Sequence, residues 1–479
     1  MKRRMLAVLF TFTMTVSLLA GCGSEGAPTD ASASLDKSES DADEGKKEED
    51  AKEEEAEDGA SADEGKVLNI YCWNEEFKTL FETYYQGAGL LDDGITVNFI
   101  ITPSDNNAYQ NALDEALLNQ ESASADEKID IFMIEADYAL KYVDSDYSLD
   151  VKNDVGLTDE DMSQQYQYTK DIVTDDAGVQ KGTTWQATPG LFAYRRSIAK
   201  DVLGTDDPAQ VQEALADWGK FGDVAEKAAG KGYKMLSGYE DSYRTFSNNM
   251  AGPWVDGNKI VIDDNLMNWV EQTKEFTDSG YNNKTALWAP EWQADQGLEG
   301  KVFGFFYSTW GINFTLMKNS LDTPVEEGGK EEVGNGCYGD WAVCQGPEGY
   351  FWGGSWICAA AGTDNMETVK SVMKTMTCDS ATMKKITEDT QDYTNNEAAM
   401  GELANGDFQS AFLGGQNHIK LFAEVAPEID MSNCSPYDQG LNESFQGAFR
   451  DYFDGTVDKD TALENFYASA IEKYPELTK

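Results

Sequence analysis

His418 is the only histidine in 479 residues, which removes general-base mechanisms built on histidine and any multi-histidine metal site. No GxxxxGK[ST] loop occurs, so the chain does not itself hydrolyse ATP through a phosphate loop. No CxxC pair, no Cys/His cluster and no repeat period is present. Neither a cofactor nor a metal is therefore expected. Positive charge is scarce: 37 Lys and Arg stand against 87 Asp and Glu, a formal net charge of -50. Such a surface repels nucleic acid and anionic lipid, and neither is expected as a partner.

What is present begins with a secretion signal. MKRRMLAVLFTFTMTVSLLAGC opens on Lys2, Arg3 and Arg4, continues as an apolar run too short for a stable span, and closes on small residues. Its end, Leu19-Ala20-Gly21-Cys22, resembles a bacterial lipobox, which implies lipidation of Cys22 and an acyl anchor on the extracytoplasmic face of the cell membrane. Residues 23–66 are dominated by Glu, Asp, Ala, Ser and Lys and hold no aromatic, a composition that cannot bury a core. They are expected to form a disordered acidic tether reaching roughly 35 Å. Six cysteines remain after Cys22, namely Cys72, Cys337, Cys344, Cys358, Cys378 and Cys434. They are scattered and mostly within apolar runs, so buried thiols and disulfides are both open.

The remainder exceeds one ordinary core, and two lobes are expected. VLNIY alternates as a strand; EEFKTLFETYYQ then places Phe77, Leu80, Phe81, Tyr84 and Tyr85 on one helical face. ITVNFII, a helix carrying Ala112, Leu113, Ala116 and Leu117, and IDIFMI continue a β-α-β-α-β order that predicts a parallel sheet. Loops at the carboxyl ends of such strands present ligand sites. TTWQATPGLFAYRRSIAK is expected to cross between lobes; GKVFGFFYSTW brings a strand ending near Tyr307, and GDWAVCQGPEGYFWGGSWICAAAG suggests two strands joined by a turn.

LNIYCWNEEF, DIFMIEADYALKY, TPGLFAYRRSIA, GKVFGFFYSTWGINF and YFWGGSWICAAAGTDN, in this order, resemble the extracellular solute-binding lipoproteins of bacterial ABC importers, of the sugar-binding family 1 type. The resemblance implies an α/β, two-lobe periplasmic-binding-protein fold of type II with hinge strands between lobes. It implies lobe 1 over 67–189 plus 357–395 and lobe 2 over 190–356 plus 396–479. Its function would be capture of a carbohydrate, an oligosaccharide by expectation, and delivery to permease subunits in the membrane. The chain would be a monomer and no enzyme. The residues matching the family pattern are Asn74, Glu75 and Asp137 as acceptors for sugar hydroxyls, Trp310 as an aromatic platform, Tyr239 with Glu240, and Tyr437 with Asp438 at the rim. Met133 stands where some relatives carry tryptophan.

Carboxylates accept from a ring of hydroxyl donors, and an apolar sugar face packs on an aromatic ring. Trp185 and Gln186 in the crossing segment join the candidates. In FWGGSW, Gly353 and Gly354 have no reason in a packed strand, so at least one of Trp352 and Trp356 is expected to face the cleft. Trp254, Trp269, Trp288, Trp292 and Trp341 are assigned to core or surface. The main rival is a polyamine or other organic cation, which the same tryptophans and carboxylates could box. A glycoside hydrolase using a carboxylate pair is the remote one.

Overall fold

The computed structural model describes residues 65–479; the signal segment, Cys22 and nearly all of the tether lie outside the described residues. Strands follow in the order β1 (Val67–Cys72), β2 (Thr96–Ile101), β3 (Ile131–Glu135), β4 (Thr183–Thr184), β5 (Gly190–Arg195), the small hairpin β6 (Val255–Asp256) and β7 (Lys259–Ile260), then β8 (Gly304–Ser308), β9 (Trp341–Cys344) and β10 (Ser355–Ala359). The first sheet runs β2-β1-β3-β10-β4, with β1 parallel to β2 and β3, and β10 antiparallel to β3 and β4. A second, antiparallel sheet runs β8-β5-β9.

The predicted helix face is buried as a unit. Phe77, Leu80, Phe81, Tyr84 and Tyr85 all pack inside, although the chain loosens from an α-helix over Glu76–Leu80 into a π-helical stretch over Phe81–Gln86. Leu113 and Leu117 of the helix Ala108–Leu118 are likewise buried. Burial along β5, β8 and β10, and along β3 up to Glu135, explains why these strands read as apolar runs rather than alternating ones.

Three segments pass between the sheets or brace the passage. Residues 185–189 connect β4 to β5, and residues 345–354 connect β9 to β10. The two passages lie antiparallel through the Pro189–Phe351 bridge, and residues 393–395 pair with the first through Ala187 N to Tyr393 O (3.3 Å) and Asn395 N to Trp185 O (2.7 Å). β9 and β10 are thus not a hairpin, as the sequence suggested, but belong to different sheets. Ser355 and Trp356, expected in lobe 2, open β10 of the first sheet. Stretch 397–425 touches both sides: Glu397 N donates to Gln164 O (2.8 Å), while the Gln416 side chain accepts from Val343 N of β9 (2.9 Å). Helices Asp438–Phe453 and Lys459–Lys473 close a separate apolar cluster with Tyr243, Trp254 and Trp269.

Candidate functional site

The carboxyl ends of β1, β3 and β8 converge on the passages between the sheets. After β1 come Trp73 to Glu76, after β3 Glu135 to Asp137, and after β8 Thr309 and Trp310. Convergence is shown by Gly353: a Cβ added there would lie 3.2 Å from Trp310 Nε1 and 3.5 Å from Glu135 Oε1. Gly353 (φ 68°) and Gly354 (φ 115°) are both left-handed, and a Cβ on Gly354 would come within 2.8 Å of the Trp356 ring. The glycine pair is therefore required both by backbone conformation and by close approach.

Three tryptophans form an aromatic wall. Trp288 stacks on Trp310 with centroids 6.2 Å apart and meets Trp352 at 5.7 Å; Trp310 meets Trp352 edge-on at 5.5 Å, and its Nε1 donates to Trp352 O (3.0 Å). Trp352 also stacks on buried Tyr307. Trp288 is 43% exposed and holds φ 66°, a conformation that strains a bulky residue and that surrounding structure must enforce. Glu240 contributes by accepting from Leu287 N at 3.2 Å, which fixes the preceding residue.

Two carboxylate groupings face this region. Glu135 ends β3 and is half-buried; it accepts from Asp137 N (2.8 Å), and burial, with Asp137 beside it, raises its pKa while Arg244 opposes the rise. Asp137 itself is held by Arg244 through paired bonds of 2.7 and 2.5 Å. Arg244 belongs to the helix Tyr243–Ser247 beyond β5, so this pair ties the two sides of the gap together. The second grouping is at the hinge. Gln186 Nε2 donates both to Glu76 Oε1 (2.8 Å) and to Asp392 Oδ2 (3.0 Å), while its Oε1 accepts from Ser355 N (3.0 Å). Burial, with Asp392 nearby, pushes Glu76 up to about 8, and burial also raises Asp392.

Several candidates fall elsewhere. Glu75 is exposed beside Lys78 (3.7 Å), because Asn74 Oδ1 accepts from Glu76 N (3.0 Å) and starts the helix so that Glu76 turns inward instead. Trp356 is fully buried, with Nε1 donating to Thr169 O (2.8 Å), and is a core residue. Trp185 is buried against Phe77 at 5.3 Å, and Met133 is buried in β3. Tyr239 donates to Asp454 (2.6 Å) and Glu240 pairs with Arg450, so both are engaged within their own lobe. Tyr437 packs edge-on against Tyr474, and Asp438 accepts from Ser435 Oγ, with burial pushing it up to about 7. Asp438 does line a pocket with Asp137 and Arg244. Sequence reasoning placed Glu135 in a ligand-presenting loop without choosing it, and missed Glu76, Arg244, Asp392 and the placement of Trp288; Glu76 is adjacent to, and Glu135 two positions from, the residue chosen.

Two α/β lobes bridged by crossing segments, with aromatic rings and carboxylates at the gap, define a ligand-capturing architecture. Residues 85–409 match the family described as bacterial extracellular solute-binding protein, and the chain belongs to that family. Among solved structures, one described as an extracellular solute-binding protein of family 1 is similar with a TM-score of 0.69 at 16% identity, covering 85% of this chain and 99% of that one. The ABC transporter associated binding protein from B. animalis subsp. lactis Bl-04, in complex with beta-1,6-galactobiose, gives 0.64 at 15% identity over 86% and 99%. The galacto-N-biose-/lacto-N-biose I-binding protein of the ABC transporter from Bifidobacterium longum, in complex with lacto-N-biose, gives 0.62 at 13% over 88% and 100%. Curated protein sequences returned no match.

Proposed function

We propose that this solute-binding protein captures a carbohydrate of oligosaccharide size between its lobes and delivers it, unaltered, to the permease of an ABC importer. The observation that carries the reading is the wall of Trp288, Trp310 and Trp352 beside the half-buried carboxylate of Glu135. Flat apolar faces suit sugar rings, and a carboxylate accepts from their hydroxyls. Sugars in the galactobiose and lacto-N-biose complexes of similar structures support the same class. Asp137 is assigned to the interlobe pair with Arg244 rather than to the ligand. The protein works as a monomer held at the membrane by lipid on Cys22, and the acidic tether lets the lobes reach the permease.

Titration calorimetry with di- to tetrasaccharides and with polyamines, at low and high salt, tests the reading. Sugar binding should be one to one and nearly salt-independent, with the glycan recovered intact by mass spectrometry. Polyamine binding that weakens steeply with salt, without sugar binding, would favour an organic cation instead. That second reading has one specific support: Glu76 and Asp392 are joined by an amide and have no ion-pair partner among the described residues.

A further inference from the structure

Helix Asp438–Phe453 belongs by its packing to the second lobe, where Phe445, Phe449 and Phe453 meet Tyr243, Trp254 and Trp269. Its first turn lies against the first lobe. Gln439 Oε1 accepts from Gln110 Nε2 (2.9 Å), and Gln439 Nε2 donates to Asn107 Oδ1 (3.4 Å), both at the start of the helix Ala108–Leu118. Asp438, the neighbour of Gln439, shares one pocket of about 30 Å³ with Asp137 from the end of β3 and with Arg244.

That grouping sets carboxylates from both lobes around one guanidinium. Arg244 commits Nη1 and Nη2 to Asp137 (2.7 and 2.5 Å), with Glu135 on the same side of the gap as Asp137. Asp438 is half-buried and accepts instead from Ser435, through Oγ (2.5 Å) and N (3.1 Å). The other titratable groups toward it are Tyr243 beside Arg244, Cys434 and Asp430 in the preceding loop, and Tyr474 beyond the last helix. Lys473, next to Tyr474, is paired with Glu443 (2.8 Å). Among the described residues none of these supplies Asp438 with a second cation. Burial, with Asp137 nearby, pushes Asp438 up to about 7, although Ser435 and Arg244 oppose the rise.

We propose that Asp438 and Gln439, facing Asp137, Gln110 and Asn107 across the gap, form a pH-sensitive clasp that holds the lobes together in mildly acid medium and slackens as the pH rises to neutral. When the lobes part, Asp137 leaves with the first lobe, and Asp438 keeps water and the Arg244 of its own lobe. When they meet, two carboxylates compete for one guanidinium, and a proton on Asp438 removes the conflict. Closing therefore takes up a proton. The contribution of Asp438 to closure is complete below its ordinary value of 3.8 and is lost as pH rises to about 7, beyond which it stays constant. The clasp rests on hinge motion between the lobes and not on the identity of the ligand, so it can fail while carbohydrate capture stands.

Solution scattering of the folded, ligand-free protein between pH 5 and pH 8.5 tests this. The ratio of closed to open molecules should fall on the order of tenfold from pH 5 to pH 7.5, less than a full proton would give because Asp438 is only half-buried, and the radius of gyration should rise accordingly. Asp438→Asn imitates the protonated acid and keeps an acceptor for Ser435. It should remain at the compact radius throughout, and comparison with it cancels changes elsewhere in the chain. Gln439→Ala, which loses only the neutral bonds to the first lobe, should start from a larger radius at pH 5 and keep the parent's midpoint. Melting curves establish that each variant folds, and Asp438→Ser serves where Asp438→Asn does not. A parent radius that is constant over the range, a rise that persists in the folded Asp438 variant, or a Gln439→Ala curve identical to the parent's overturns the clasp.

Discussion

Replacing Arg244 by Met should destabilise the protein more than replacing Asp137 by Asn, although the two residues form one pair. In the parent, Arg244 meets Asp137 through two bonds of 2.7 and 2.5 Å, with each side chain 19% exposed, and Glu135 stands beside them. Removing one member of a buried pair costs about 3–5 kcal/mol, and partial exposure brings this to about 2–4 kcal/mol here. Arg244→Met leaves Asp137 and Glu135 facing each other without a cation. Asp137→Asn leaves Arg244 with Glu135 as a remaining partner, so about 1–2 kcal/mol is expected. The double variant should be milder than the sum, with a coupling on the order of 1–3 kcal/mol. Urea unfolding of the four forms supplies these values. Because the pair joins the two sides of the gap, solution scattering of Arg244→Met without ligand should show a larger radius of gyration. Equal single effects that add within about 0.5 kcal/mol, together with unchanged scattering, would refute the interlobe role.

Four further outcomes are expected. Trp356→Ala should lower unfolding stability by about 3–5 kcal/mol, as for a core aromatic, whereas Trp310→Ala and Trp352→Ala should lower sugar affinity by about 1–3 kcal/mol, read by denaturant midpoints and calorimetry. Glu76 has a folded pKa raised from 4.5 to about 8. Its contribution is therefore complete below about pH 4.5 and is lost as pH rises through 8, so Glu76→Gln should match the parent in melting temperature near pH 5 and exceed it near pH 9, by a few kcal/mol at most. Burial pushes the Cys72, Cys344 and Cys358 thiols up to about 12, and none is in a disulfide, so reductant should leave melting unchanged and alkylation in the native state should spare all three. Cys22→Ser should release the protein from the membrane or leave it unprocessed; a mature form retained on membranes in cell fractionation would sink the anchor.

Much of the fold was legible because its helices and strands obey local periodicity. The face from Phe77 to Tyr85 needed only spacing to be recognised, and the order of strands predicted a parallel sheet with its ligand loops at the carboxyl ends. Residues that line the gap were legible to within a turn and no better. Glu75 and Glu76 differ by one helical step, and the choice between them rests on how Asn74 starts the helix. Trp352 and Trp356 would share a face on a regular strand, but two left-handed glycines between them cancel that rule. Trp288 has no periodic context at all, since an unfavourable backbone conformation puts it on the wall.

Asp137 shows why the remainder could not be found along the chain. Its partner Arg244 is 107 residues away, across the crossing segment, and lies in no motif that names a charge partner. A carboxylate at a strand end is a reasonable ligand acceptor when nothing else claims it; the fold brings a guanidinium to it, and a bidentate pair outcompetes a neutral hydroxyl for the same oxygens. On the proposed reading the acceptor role falls to Glu135, two residues earlier, which lies beside Gly353 and whose raised pKa reflects burial that the pair only partly offsets. On the proposed reading, ligand binding is coupled to the interlobe pair through this adjacency. A ligand that engages Glu135 alters the field on Arg244, so its affinity and the tightness of the Asp137–Arg244 pair change together rather than independently.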